Sequence, residues 1–175
     1  MIFILNNGLA QQTYKSLNGR ISFSSQKGMN LLEAFSENLY VKFEPHSQKI
    51  NLKVQVTSFN FTNCSKLVEK TFNDIYMESH KYHWAKFEGR IIDTLNLKIV
   101  GSKNVAVEGI LTIHGVQQSK KVNGTMAVNA DNSILLRTKF NVLLSDFQII
   151  VLNEDIDRLA NTIEIEVFAD VKSEK

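Results

Sequence analysis

The sequence has very few of the residues that crosslink or interrupt a chain. Its 175 residues include one cysteine, Cys64, and one proline, Pro45. A single cysteine excludes an intrachain disulfide, and the surrounding stretch "FTNCSKL" offers no base that would activate the thiol, so we interpret Cys64 as structural. Pro45 lies outside the alternating segments described below, so no predicted strand is interrupted by a proline.

The sequence also lacks long apolar runs and a large excess of charge of one sign. No apolar run approaches the roughly 18–20 residues that a membrane helix needs, so we expect no stable insertion into a membrane. The formal net charge is +2, and the lysines are scattered and often alternate with apolar residues, as in "NLKVQV". Nucleic-acid binders usually carry a basic face or stripe, and nucleic acid is therefore not an expected partner.

Sequence signatures of catalysis are absent as well. There is no G-x-S-x-G nucleophile elbow, no glycine-rich phosphate loop and no paired-carboxylate motif. His80 and His83 could approach each other, but without a third ligand nearby they make a weak metal site. The acidic run "NEDIDR" at 153–158 lacks the glycine and glutamate positions of a calcium loop, and we interpret it as a solvated loop. We expect no enzyme, cofactor or metal; the alternative is a small metal-dependent enzyme or sensor using His80 and His83.

What the chain does contain is an apolar period of two residues, which is typical of β-strands. In "KINLKVQV" every second residue is apolar, and the alternation then shifts by one residue before Phe59 and Phe61. Such a shift predicts a β-bulge near residues 57–58. Alternation recurs later in the chain, in "AKFEGRI", "VAVEGILTI", "KVNGTMAV", "ILLRTKFNVLL" and "NTIEIEVFADV".

One segment, "SKLVEKTFNDIYMESHKY", follows a different period. Its apolar residues are three and four positions apart, which predicts one amphipathic helix over about residues 65–80, with Asn63 or Ser65 as the N-cap. About eight antiparallel strands and one helix predict an all-β fold, either a closed up-and-down barrel or a sandwich. The interior of an eight-stranded barrel can be just wide enough for one small ligand.

His114 lies in "VEGILTIHGVQQ", between a predicted strand and a turn glycine. The alternation places it on the polar face with Glu108, opposite the apolar face that Leu111 and Ile113 share. We interpret it as a strand-end histidine that bonds to nearby backbone and has no role in ligand binding. Its replacement by Asn or Gln is expected to cost little stability.

Five short stretches, taken in order, point to a known family. They are "GRISFSS" at 19–25, "FNDIYMESHKY" at 72–82, "AKFEGRI" at 85–91, "VEGILTIHGV" at 107–116 and "LLSDFQI" at 143–149. Together they resemble the YceI-like family of bacterial lipid-binding proteins, with matching order and spacing over roughly residues 12–172. The stretch "LTIHGV" after "F-x-G-x-I" is the most specific of these features.

The resemblance implies a lipocalin-like antiparallel barrel whose long apolar interior holds a polyisoprenoid chain, and it assigns no catalytic residues. Family members are typically exported to the periplasm, although cytoplasmic ones exist. We therefore expect a periplasmic or secreted protein, with the cytoplasm as the alternative. Residues 12–172 would form the lipid-binding domain, and residues 1–11 would be a remnant of a signal peptide or a first strand.

Two positions depart from the family pattern. The family often has proline after Lys-Tyr, where this chain has His83, and again after the Asp-aromatic-x-Ile segment, where this chain has residues 150–152. Both positions lie close to loops. The mouth of the barrel and the choice of ligand are therefore expected to differ from the usual pattern.

The expected ligand is an elongated apolar lipid, a polyisoprenoid or another long-chain lipid, in the barrel interior. Each methylene removed from water contributes about 0.8 kcal/mol, so a prenyl chain can be held without polar recognition. Whether the protein carries, stores or senses the lipid is left open, as is homodimer formation. A stress-related structural protein without a ligand is a further alternative.

The residues predicted to line the tunnel come from the apolar strand faces and the helix. For each of them the alternative is simple packing in the barrel core. They are Phe59, Phe61, Phe72, Tyr76, Phe87, Leu111, Ile113, Phe140 and Val142.

Overall fold

The computed structural model describes residues 12–62, 64–155 and 159–174, which are built mainly of antiparallel strands. The predicted signal remnant or first strand at residues 1–11 and the predicted cap Asn63 lie outside the described residues. The strands are β1 (Tyr14–Lys27), β2 (Asn30–Glu44), β3 (Lys49–Gln55), β4 (Asn60–Thr62), β5 (Trp84–Ile91), β6 (Gly101–Ile113), β7 (Val116–Val128), β8 (Ile134–Leu143) and β9 (Thr162–Ser173).

Eight of these strands close into a barrel. Their order is β1-β9-β8-β7-β6-β5-β3-β2, and β2 returns to β1 in a ladder that runs from Lys27–Asn30 to Tyr14–Phe43. Strands adjacent in the chain are adjacent in the barrel except where β5 follows β3, so the predicted up-and-down, lipocalin-like barrel is confirmed. The short strand β4 pairs with residues 33–35 of β2, on the same edge as β3 and beyond its end.

The alternation of apolar residues decides which side chains face the interior. On β6, Val105, Val107 and Leu111 are buried, whereas Glu108 is exposed and forms an ion pair with Lys121 on the outer surface. Strand β9 repeats this arrangement. The interior faces predicted for β3, β6 and β9 are confirmed.

Two glycines on facing strands shape the interior wall. Gly89 of β5 lies opposite Gly109 of β6, and the ring of Phe87 lies against both. A Cβ at Gly89 would lie 2.6 Å from Cε1 of Phe87, and a Cβ at Gly109 would lie 2.5 Å from Cα of Gly89. Because neither glycine has a side chain, the ring of Phe87 can lie against the sheet at this point without a steric clash.

The shift of alternation before Phe59 is an interruption of the ladder with β2, and a 3-10 turn takes the place of the predicted β-bulge. Strand β3 pairs with β2 and ends at Gln55. Residues Val56–Ser58 form a 3-10 turn, and β4 then resumes the pairing with β2. The Ser58 hydroxyl donates to the carbonyl of Gln55 and lies beside the Ser36 hydroxyl, both at 2.7 Å. A bulge and a short turn both exchange the two faces, so the sequence pattern does not distinguish them.

The helix is shorter than the predicted span of residues 65–80. Helix α1 (Lys66–Thr71) continues into a π-helical turn, Phe72–Tyr76, and the helical path stops there. Glu78, with a φ of 41°, is in the left-handed region, which an apolar period does not reveal. Ser65 is the N-cap, although its side chain makes no capping hydrogen bond. No helix in the described part of the chain is long and apolar enough to cross a membrane.

One end of the barrel is filled by large side chains. Phe43, Ile134 and Val171 are completely buried there, and the ring centroid of Tyr14 lies 6.2 Å from that of Phe43. Burial raises the pKa of the Tyr14 phenol above its ordinary value. These side chains form a floor below the interior cavity.

Candidate functional site

The barrel encloses a cavity of about 680 Å³ above this floor. Its wall is predominantly apolar and is built from the interior faces of the barrel strands, from the helical segment and from the loop between β8 and β9. Ligand pockets commonly measure about 300–1,000 Å³, so the cavity has the size of a binding site.

Most of the residues predicted to line a tunnel do line this cavity. Phe61 does not: it faces the helix, and its ring centroid lies 5.0 Å from that of Phe72. Contact with a ligand stays a prediction for all nine residues. Those in the cavity wall are Phe59, Phe72, Tyr76, Phe87, Leu111, Ile113, Phe140 and Val142.

Four phenylalanines, Phe23, Phe59, Phe61 and Phe72, form a cluster where β1, β4 and the helical segment meet. The rings of Phe23 and Phe72 are stacked with centroids 5.4 Å apart, and Phe61 meets Phe72 edge-on. Each such aromatic pair contributes about 0.5–1.5 kcal/mol beyond its buried area. The helical segment has no fully buried residue, and this cluster attaches it to the barrel through Phe72.

Phe72→Ala is expected to lower the free energy of unfolding by about 2–3 kcal/mol, less than for a fully buried phenylalanine. The ring is half-buried and borders the cavity, so part of its apolar surface is not packed. Urea denaturation measures the change. Phe35→Ala is the control, since Phe35 packs under the guanidinium of Arg20 on the outer face. Equal losses in the two variants would show that the cluster does not hold the helix.

The cavity opens at the end where the helix and the β1–β2 hairpin lie. Leu31 and Leu67 belong to the cavity wall, yet they are 55% and 71% exposed. Side chains that border both the interior and solvent mark a mouth. Ile75, which the sequence places on the apolar face of the helix, is also exposed, so that face is only partly covered.

A polar pair interrupts the apolar wall close to this mouth. The phenol of Tyr76 donates a hydrogen bond to Oδ2 of Asp155, and both residues line the cavity. Asp155 ends a short 3-10 turn, Asn153–Asp155, in the loop between β8 and β9. The interpretation of this acidic run as a solvated loop is therefore wrong for Asp155, while residues 156–158 lie outside the described residues.

His114 follows β6 in the turn before β7, as predicted, with a φ of 52°. The predicted bond to backbone is confirmed, although the carbonyl group concerned is distant in sequence. Its Nδ1 lies 3.2 Å from the carbonyl oxygen of Phe147, and its Nε2 lies 2.8 Å from Oε2 of Glu78. The ring also meets Tyr82 edge-on at 4.6 Å. His114 therefore connects the β6–β7 turn to two neighbouring loops.

His114→Asn is expected to lower the free energy of unfolding by about 1–2 kcal/mol, since both hydrogen bonds of the ring are lost. This exceeds the small cost expected from the sequence. Asparagine tolerates the left-handed backbone, so the variant isolates the contribution of the ring. Thermal unfolding measures the loss, and ligand binding is expected to be unchanged. A folded variant that no longer binds ligand would contradict this assignment.

The structure gives the metal-dependent alternative no support. The Nδ1 of His83 lies 2.7 Å from the carbonyl oxygen of Ser79, and His80 is exposed. Within residues 12–62, 64–155 and 159–174, no three His, Cys, Asp or Glu residues are grouped closely enough to hold a metal ion.

Comparison with known proteins identifies one matching family model. It is described as a YceI-like domain and matches residues 13–171 of this chain. A comparison with curated proteins finds no match.

Three solved structures have a similar fold. A polyisoprenoid binding domain from Saccharophagus degradans, implicated in plant cell wall breakdown, has a TM-score of 0.77 and 14% identity, over 94% of this chain and 99% of that one. BcnA from Burkholderia cenocepacia has a TM-score of 0.71 and 20% identity, over 88% and 96% of the two chains. A YCEI protein from Campylobacter jejuni has a TM-score of 0.55 and 18% identity, over 78% and 80%. At these identities the likeness shows the shared fold.

Proposed function

The chain belongs to the family of YceI-like domains, and from this we propose that it binds an elongated apolar lipid, a polyisoprenoid, inside its barrel. The observation that carries the proposal is the cavity of about 680 Å³ with its predominantly apolar wall, a floor at one end and a mouth at the other. The Saccharophagus degradans domain, which is described as polyisoprenoid binding, supports this choice of ligand class.

The apolar wall suits a prenyl chain because burial alone supplies binding free energy. At about 0.8 kcal/mol per methylene, one five-carbon isoprene unit contributes at most about 4 kcal/mol. The loss of chain and overall motion on binding offsets part of this gain. Affinity is therefore expected to depend mainly on how many isoprene units fit in the cavity.

Calorimetric titration with prenyl alcohols of increasing length tests the proposal. From farnesol to geranylgeraniol the affinity is expected to rise about tenfold or more, and to level off once the cavity is full. An affinity that does not change with chain length would show that the chain stays outside the cavity.

We further propose a carrier role for an exported protein, periplasmic or secreted. The mouth has apolar side chains on its rim, including Leu31 and Leu67, and Met29 at the hairpin tip is fully exposed. A lipid can pass such a rim without crossing a continuous polar collar. Transfer of a fluorescent prenyl lipid between two vesicle populations measures carrying, and a storage protein would retain the lipid. Cell fractionation tests the location.

A further inference from the structure

Strands β7 and β8 separate before they reach the end of the barrel that carries the mouth. Their ladder extends from Val128–Ile134 to Gly124–Thr138 and stops there. Strand β7 continues to Val116 on β6, and β8 continues to Leu143 on β9. Residues 116–123 and 139–143, all of them described, thus have no ladder partners across this junction. The result is a gap in the barrel wall.

The gap is closed again at its far end by a 3-10 turn, Leu144–Phe147. There the side-chain amide of Gln118 donates to the carbonyl oxygen of Asp146 at 2.8 Å. The gap is therefore a window with two defined ends, the Gly124–Thr138 pair and the Gln118–Asp146 hydrogen bond. The interior cavity extends to this window, since its wall includes Lys120, Val122, Gly124, Thr138 and Phe140.

Lys120 is placed differently from the other lysines of β7. Alternation puts it on the interior face with Val122, whereas Lys121 points outward and pairs with Glu108 at 3.0 Å. Among the described residues, no carboxylate forms an ion pair with Lys120. It is half-buried and lines the cavity.

An ammonium group in an apolar wall needs either water or an anion. Burial of an unpaired charge is unfavourable, and lysines avoid it by covering apolar surface with their stem while the head reaches solvent. At the window, Lys120 can do this, with its stem beside the cavity and its head at the opening. That arrangement places a cation where the polar end of a bound lipid would emerge.

We propose that Lys120 binds the phosphate of a polyprenyl phosphate whose hydrocarbon chain fills the cavity. This inference rests on the proposed function and adds the class of headgroup. Backbone N–H groups of β7 that face the window, where no ladder partner is present, are further donors for phosphate oxygens. The carboxylate of Asp155 would repel a phosphate near Tyr76, so the headgroup lies at the window and not at the β8–β9 loop.

Calorimetric titration with a matched pair of ligands, geranylgeranyl phosphate and geranylgeraniol, tests the inference. Wild-type protein is expected to bind the phosphate about tenfold more tightly, the effect of one charge-assisted hydrogen bond. Lys120→Gln is expected to abolish this preference, so that the phosphate and the alcohol bind with similar affinity. Lys121→Gln is the matched control and is expected to keep the preference, because Lys121 lies on the outer face. Circular dichroism checks that both variants fold.

The outcomes separate this inference from the proposed function. Equal affinities of wild-type protein for both ligands, or a preference that survives Lys120→Gln, would overturn the headgroup assignment and leave chain binding intact. Failure to bind either ligand would overturn the proposed function itself. A third titration uses inorganic phosphate alone. If it binds as tightly as geranylgeranyl phosphate, the site is one for free phosphate and the lipid assignment is overturned.

Discussion

Leu111→Trp is expected to lower the affinity for a prenyl chain by about 10- to 50-fold while the barrel stays folded. Leu111 is buried on β6, lines the cavity and lies opposite Phe87 of β5. An indole at this position occupies space that about two or three methylenes of the ligand would otherwise fill, each contributing about 0.8 kcal/mol. Val142→Phe, from the wall contributed by β8, is expected to act in the same direction.

The matched control for this variant is Ile110→Trp. Ile110 is the preceding residue on β6, but it points outward and is 37% exposed. The same bulk added there is expected to leave the affinity unchanged. Calorimetry measures binding and circular dichroism checks the fold. Wild-type affinity in folded Leu111→Trp would mean that the ligand does not occupy the cavity.

Phe43→Ala is expected to lower the free energy of unfolding by about 3–5 kcal/mol, the range found for fully buried aromatic residues. Phe43 is completely buried in the floor of the barrel, beside the ring of Tyr14. It does not line the cavity, so its contribution is to the packing of the floor. Urea denaturation of the ligand-free protein measures the loss.

Phe168→Ala is the control for the floor. Phe168 lies on β9 but faces outward, is 37% exposed, and has the guanidinium of Arg137 at 5.3 Å from its ring centroid. Its removal is expected to cost about 1 kcal/mol or less. A Phe43→Ala variant no less stable than Phe168→Ala would show that the floor is not a tightly packed core.

The barrel could be predicted because each strand buries only one face. The residues that are apolar at every second position are then the ones that point inward, as Val105, Val107 and Leu111 do on β6. The same alternation predicted most of the residues that line the cavity. It could not separate wall from floor, since Val142 and Phe43 are both buried yet only Val142 borders the cavity.

The features that were missed depend on contacts between distant parts of the chain. The partner of Asp155 is Tyr76, on another element, and nothing in the acidic run indicates it. The separation of β7 from β8 depends on where the ladder between them stops. Alternation along one strand shows which face a residue occupies, but not which strand lies beside it. The scattered positions of the lysines do not show that Lys121 points outward while its neighbour Lys120 lines the cavity.

The most direct test of lipid binding in the barrel is mass spectrometry of an organic extract from protein purified from its native host. We expect about one prenyl lipid per chain in wild-type protein, consistent with a cavity of this size, and a large loss in Leu111→Trp purified in parallel. Folded wild-type protein that carries no lipid, or equal amounts of lipid in the two proteins, would contradict the account.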